Sequence, residues 1–205
     1  MLIAIEGIDG AGKTTQLDLL TNNSILKSTA KSIFRTKQPT NFYRGYDRYQ
    51  QYVGGEISFD NSRIIYELAL LSASDKMLHY ETEIMPNKSN IIICDRYVYS
   101  AYAYFLARGI NDIEWLKSIN KFLPLPDIVF YIDIDPNEAV NRVAQRKKGY
   151  SLEETNIKML SNIRNNFLVQ PWGKSENYYI IDGGNLRLPE QINQEIIDVM
   201  LGYLS

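Results

Sequence analysis

Eight residues near the start of the chain constrain its fold more than any others. Gly7-Ile8-Asp9-Gly10-Ala11-Gly12-Lys13-Thr14 fits the pattern G-x-x-x-x-G-K-[ST] without a mismatch. Leu2-Ile3-Ala4-Ile5 before it is a short branched apolar run that predicts a strand, and Gln16-Leu17-Asp18-Leu19-Leu20 after it predicts a helix. Strand, glycine loop and helix in that order make a cradle for phosphate. Glycines at 7, 10 and 12 let backbone N–H groups converge without Cβ obstruction, and the helix N-terminus adds more. Lys13 has the reach for β- and γ-phosphates, and the Thr14 hydroxyl is a ligand for Mg²⁺. The loop from Gly7 to Thr15 is therefore the candidate site for a nucleotide polyphosphate.

The rest of the chain alternates strands and helices. Strands are predicted at 32–36, 90–94, 127–133 and 176–182. Helices are predicted at 61–85, 98–108, 112–122, 136–148, 152–168 and 189–204, with short helix and loop at 42–60. About five strands in a βα repeat imply a parallel sheet with helices on both faces, a three-layer α/β sandwich of the P-loop NTPase type. A length of 205 residues suits one domain.

A net charge of −2 gives no overall basic field for polymeric nucleic acid. A single cysteine, Cys94, excludes an internal disulfide and a cysteine metal cluster, and its apolar run makes it a core residue. No stretch reaches membrane-spanning length and no signal segment is visible, so the expected location is the cytoplasm.

Candidate site residues follow from position. Ligands bind outside the carboxyl ends of strands in an open parallel sheet. Lys37 follows the second strand there, and Asp95 and Arg96 follow the third. Asp95 suits the Mg²⁺ hydration shell, and Arg96 suits a transferring or acceptor phosphate. On the 61–85 helix, Ile64, Ile65, Leu68, Leu71 and Leu78 predict the core face. Ser72, Asp75, Lys76 and His79 form a polar stripe that, on its own, reads as a solvated face. Tyr97, Ala101 and Tyr104 share a face of the next helix. Arg142, Arg146, Lys147 and Lys148 form a basic patch that suits a lid over ATP, at about 146–152.

Two absences narrow the chemistry. No Asn-Lys-x-Asp is present for guanine, because Asn87-Lys88-Ser89-Asn90 lacks the acid. The stretch 32–40 offers Arg35 and Lys37 but no carboxylate base, which suits an acceptor that is already an anion and needs positioning more than deprotonation. The pattern is that of a nucleoside monophosphate kinase.

At Ile5–Thr15, Asp95–Tyr104 and Pro126–Asp133 the sequence resembles the thymidylate kinase family. The resemblance implies transfer of the ATP γ-phosphate to dTMP with Mg²⁺, in a homodimer. It implies that Lys13 and Thr14 hold ATP and metal, and that Asp9, a family marker, orients the acceptor sugar or a metal-bound water. It further implies that Asp95 supports the metal, Arg96 bridges the two phosphates and Tyr104 approaches the acceptor sugar. With Ala11 where some relatives carry a loop arginine, Arg146 and then Arg142 become the lid cations. Arg48 is a further acceptor-side candidate.

Three departures touch the acceptor. Lys37-Gln38-Pro39 stands for Arg-Glu-Pro. Ser72 and Lys76 stand for a stacking Phe and a base-reading Arg. Ala101 stands for a polar residue near the base. Phe42, Tyr43 and Tyr66 are candidate replacement stacking surfaces. A kinase for another monophosphate or a nucleoside, or a low-turnover regulator with this fold, remains an alternative reading.

Overall fold

A computed structural model describes residues 1–29, 32–58, 62–145, 151–184 and 186–204. Five strands form one parallel sheet: β1 (Leu2–Glu6), β2 (Ile33–Lys37), β3 (Ile91–Asp95), β4 (Ile128–Asp133) and β5 (Tyr178–Asp182), in the order β2-β3-β1-β4-β5. The order follows the side chains. β1, β3 and β4 are near-continuous apolar runs and take the three central places, where both faces are covered. β2 and β5 are only partly buried and lie at the edges. Register aligns Ile5 and Lys37 with Asp95 from either side, so the phosphate loop, Asp95 and the end of β2 share one edge.

Helix α1 (Lys13–Asn22) starts at the loop and α2 (Ser24–Thr29) follows, separated by Asn23, whose Oδ1 accepts from the N–H groups of Ile25 and Leu26. Short helices α3 (Asn41–Arg44) and α4 (Asp47–Val53) occupy the stretch expected to be short helix and loop. Then come α5 (Ser62–His79), α6 (Val98–Ala107), α7 (Ile113–Ile119), α8 (Pro136–Ala144), α9 (Leu152–Thr155), α10 (Ile157–Val169) and α11 (Pro189–Leu204). α1, α2 and α11 pack together as one layer, and α5, α6 and α10 form the other. An aromatic seam joins the second layer to the sheet: Tyr131 of β4 stacks on Phe167 of α10 at 4.7 Å, and Trp172 meets Tyr99 of α6 at 5.6 Å.

Three expectations need correction. The 61–85 helix is α-helical only to His79 and finishes as a π turn (Tyr80–Ile84) and a 3₁₀ turn (Met85–Asn87) around Pro86. The 152–168 helix is two helices, because the Asn156 backbone turns extended (φ −83°, ψ 95°) and its side chain caps the Met159 N–H. The polar stripe of α5 is not solvated: Ser72, Asp75, Lys76 and His79 are 4%, 0%, 3% and 2% exposed, while Leu78 is 52% exposed and Leu71 half-buried. Burial of Asp75 and His79 is tolerable because β2 and the β2–α3 connection come down on them, while Ser72 and Lys76 satisfy each other. Asp75 accepts from the Thr40 N–H at 3.0 Å and from the Thr40 hydroxyl. Lys76 is bonded to Ser72, and His79 to Thr36 and Gln38.

Candidate active site

The loop after β1 is built as its glycines require. Gly10 and Gly12 have φ of +91° and +89°, and a Cβ on Gly10 would sit 2.5 Å from the Ala139 carbonyl oxygen of α8. Ala11 is buried, so the middle of the loop presents a methyl group rather than a cation. Lys13 folds back over the loop, donating to the carbonyls of Ile8 at 2.8 Å and Gly7 at 3.1 Å. Burial and the neighbouring Arg96 push its pKa down to about 8, against the pull of Asp9, Asp95 and Glu6. Thr14 and Thr15 are exposed on the first turn of α1. Arg142 of α8 reaches the loop: Nη1 lies 4.0 Å from the position of a Cβ on Gly12, and Nη2 donates to Gly183 O at 3.0 Å and pairs with Glu138.

Arg96 is the hub that joins this loop to the second half of the site. It sits at φ +65°, a conformation a bulky residue adopts only when its surroundings hold it there. Its Nη1 donates to Gly7 O at 2.7 Å and Ser100 Oγ at 3.1 Å. Its Nη2 donates to Asp9 Oδ1 at 2.7 Å and to the Tyr104 hydroxyl at 2.9 Å. The Tyr104 hydroxyl donates in turn to Asp9 Oδ2 at 2.8 Å, closing a triangle. Burial acts to raise the Asp9 pKa, but Arg96 and Lys13 together hold the carboxyl well below its ordinary value, so it is ionised.

Glu6 supports the hub from beneath. Fully buried, it accepts from the N–H groups of Tyr97 and Ser100, at 2.9 and 3.2 Å, and from the Ser100 hydroxyl. Burial raises its pKa against these bonds and against Arg96. A carboxylate at the N-terminus of α6 both caps that helix and fixes Ser100 under Arg96. Asp95 Oδ1 is buried with no hydrogen-bond partner among the described residues. An acid beside the loop lysine with an unused oxygen, together with the exposed Thr14 hydroxyl, suits a hydrated Mg²⁺.

A cavity of about 320 Å³ opens from this hub. Asp9, Ser72, Lys76, Arg96, Ala101 and Tyr104, all singled out from the sequence, line it together. Lys76 is buried, and burial, partly offset by Asp75, lowers its pKa to about 8. Of the proposed stacking residues only Tyr43 lines the cavity, its ring 4.6 Å from that of Tyr49; Phe42 is exposed and Tyr66 rests against Trp115.

Other candidates lie elsewhere. Lys37 is exposed beside Asp95 in a neighbouring depression of about 340 Å³. Arg48 pairs with Glu67 on the surface and does not line the cavity. Arg146, with Lys147 and Lys148, lies outside the described residues, as does the lid segment as far as Tyr150.

The structure adds residues that sequence reading missed. Arg108 and Glu153 line the cavity as a bidentate buried ion pair, at 2.8 and 2.6 Å, and the Tyr52 hydroxyl donates to the same carboxylate. Nothing local marked Arg108, which read as a helix end before Gly109. Gln38 also lines the cavity; its only signal was its place after the second strand.

A glycine phosphate loop after the first strand of a 2-3-1-4-5 parallel sheet, facing a cavity across a shared arginine, defines a P-loop phosphotransferase. The thymidylate kinase family model matches residues 5–196, and the chain belongs to that family. A curated protein of Pyrococcus abyssi (strain GE5 / Orsay), described as "Probable thymidylate kinase", is 36% identical over 169 residues, covering 81% of this chain and 80% of that protein. One from Methanococcus aeolicus with the same description is 34% identical over 206 residues, covering 97% and 95%. Among solved structures, the thymidylate kinase from Candida albicans matches with TM-score 0.74 at 25% identity, covering 98% of this chain and 91% of that one. The thymidylate kinase from Ehrlichia chaffeensis shares the fold, with TM-score 0.69 at 23% identity over 98% of both chains.

Proposed function

We propose that the chain phosphorylates dTMP to dTDP with the γ-phosphate of ATP. The observation that carries this reading is the Asp9–Arg96–Tyr104 triangle: one arginine belongs at once to the phosphate loop, through Gly7 O, and to the acceptor cavity. A cation fixed there by four acceptors needs no reorganisation to meet charge shared between two phosphates. Family membership supports dTMP as acceptor and stands against the regulator and nucleoside kinase alternatives.

The roles follow from the placement. Gly7 to Thr15 cradle the polyphosphate, and Lys13 leaves its loop carbonyls for the β- and γ-oxygens. Thr14 and Asp95 would hold Mg²⁺, which would neutralise charge on the polyphosphate when bound. Asp9 and Tyr104 orient the acceptor sugar, and Ser72, Lys76 and Ala101 face the base. Lys37 remains the second cation for the acceptor phosphate, while Arg48, already paired, is assigned no role. Arg142 and Arg146 supply donor-side charge, with 146–152 as the lid. Tyr66, Leu70 and Leu78, exposed on one helix, are the proposed seam of a homodimer. The proposed location is the cytoplasm; among the described residues no helix is long and apolar enough to cross a membrane.

A steady-state panel of dTMP, dUMP, dCMP, dGMP and thymidine with ATP–Mg²⁺ tests this reading. The highest kcat/KM is expected for dTMP. Turnover of thymidine without turnover of dTMP would overturn it.

A further inference from the structure

Arg96 reaches the phosphate loop from a backbone that bulky residues avoid, at φ +65°. A residue's φ and ψ are fixed once the peptide planes on either side of it are fixed, and here hydrogen bonds hold both. The plane before Arg96 donates its N–H to Ile5 O at 3.0 Å. The plane after it is gripped at both ends. Its N–H, that of Tyr97, donates to Glu6 Oε1 at 2.9 Å, and its carbonyl, that of Arg96, accepts from the Cys94 thiol at 2.9 Å. Burial raises the Cys94 pKa well above the ordinary thiol value, so the thiol keeps the proton it donates. Ile5 and Glu6 end β1, and Cys94 belongs to the adjoining β3. The sheet therefore dictates the turn at Arg96.

Among these holds Glu6 makes the most contacts. A carboxyl group that is 0% exposed is costly to bury. The bonds that compensate it go to this one turn: the N–H groups of Tyr97 and Ser100 to Oε1, and the Ser100 hydroxyl to Oε2. The Ser100 oxygen in turn accepts from Arg96 Nη1 at 3.1 Å. Glu6 thus sets the backbone of Arg96 directly and its guanidinium through Ser100. The next residue in the chain is Gly7, whose carbonyl accepts from Arg96 Nη1 at 2.7 Å and from Lys13 Nζ at 3.1 Å. Burial disfavours the charge of Glu6 and raises its pKa, yet a carboxyl oxygen accepts N–H bonds with or without that charge.

We propose that Glu6 is a positioning residue for phosphoryl transfer, imposing by its reach rather than its charge the left-handed backbone that aims Arg96 at the loop. Released to negative φ, the Arg96 side chain would leave Gly7 O and Asp9. Charge developing between two phosphates would then meet a cation that has first to reorganise. The phosphate loop keeps its glycines and Lys13, so the loss falls on turnover and not on ATP binding. The inference rests on the proposed reading of Arg96 at the transferred phosphate.

Two replacements in the full chain separate reach from charge. Glu6→Gln keeps the length and one oxygen for both N–H groups but carries no charge, whereas Glu6→Asp keeps the charge and falls one methylene short. Initial rates with dTMP and ATP–Mg²⁺ give kcat and the KM for ATP. The intraresidue HN–Hα NOE of Arg96 reports its backbone directly, because a positive φ brings those two protons close. The parent and Glu6→Gln are expected to show a strong NOE, with kcat within about tenfold of each other. Glu6→Asp is expected to show a weak NOE and a kcat at least about tenfold below that of Glu6→Gln, with the KM for ATP within about threefold of the parent. A loss of stability alone moves neither the NOE nor the order of the two kcat values in folded protein. If Glu6→Asp does not fold, Glu6→Met, which also lacks the oxygen, takes its place with the same expectations. Any other order of kcat, a strong NOE in the shortened variant or a weak one in Glu6→Gln overturns the proposal. A parent without turnover removes the functional reading and the transfer role with it, whereas a parent that turns over while the variants fail these expectations removes this inference alone.

Discussion

Removing the Glu153 carboxylate while keeping Arg108 isolates a buried charge contact of the cavity wall. The two side chains are 7% and 8% exposed, and the pair is bidentate. The guanidinium also lies 5.3 Å from the Tyr52 ring centroid and 5.1 Å from that of Phe105. Glu153→Leu leaves a buried cation without its counter-charge, a change that costs about 3–5 kcal/mol. With a urea dependence of about 2.5 kcal/mol per molar, the unfolding midpoint falls by about 1.2–2 M. Arg108→Met/Glu153→Leu removes both charges, and its midpoint is expected to return to within about 0.5 M of the parent, because well-packed apolar pairs replace buried ion pairs at little cost. Equilibrium urea unfolding of the parent, Arg108→Met, Glu153→Leu and the double variant, followed by tryptophan fluorescence, reads the cycle. A single variant that loses less than about 1 kcal/mol would place the pair in the energetic class of solvated bridges and refute the reasoning.

Asp9→Asn removes the charge that two donors share and leaves Arg96 without its carboxylate; kcat/KM for dTMP is expected to fall about 10- to 150-fold, the worth of a charged hydrogen bond, in initial-rate assays. Lys76 carries a pKa of about 8 in the folded chain against an ordinary 10.5. The unfolded chain therefore holds the extra proton between those values, and stability rises with pH across that window by about 3 kcal/mol for this group. At pH 7 the burden is present in full, so Lys76→Met is expected to unfold at higher urea than the parent there, with the gap narrowing at pH 9.5.

The sheet was legible because its signals are local. Ile91–Cys94 and Ile128–Ile132 are unbroken apolar runs that only a doubly covered strand accommodates, and the loop residues carry their own geometry. Asp95 and Arg96 were legible from position relative to a strand end, whereas Tyr104 was singled out only through the family resemblance. The α5 stripe was not, because its burial depends on residues 36–40 arriving from β2, and a polar stripe looks the same from sequence whether water or Thr40 satisfies it. Arg108 and Glu153 are 45 residues apart, and no pattern along the chain joins them. Asn156 did carry a signal, a capping residue inside an apolar repeat, and it marks where one expected helix becomes two.

The central claim is phosphoryl transfer from this loop to dTMP. ADP and dTDP measured together by anion-exchange chromatography, for the parent chain and Lys13→Ala side by side, test it most directly. The account predicts one dTDP for each ADP in the parent and a loss of at least about 100-fold in Lys13→Ala, the scale of removing a preorganised charge from a transition state. ADP formed without dTDP, or equal rates in the two chains, would contradict it.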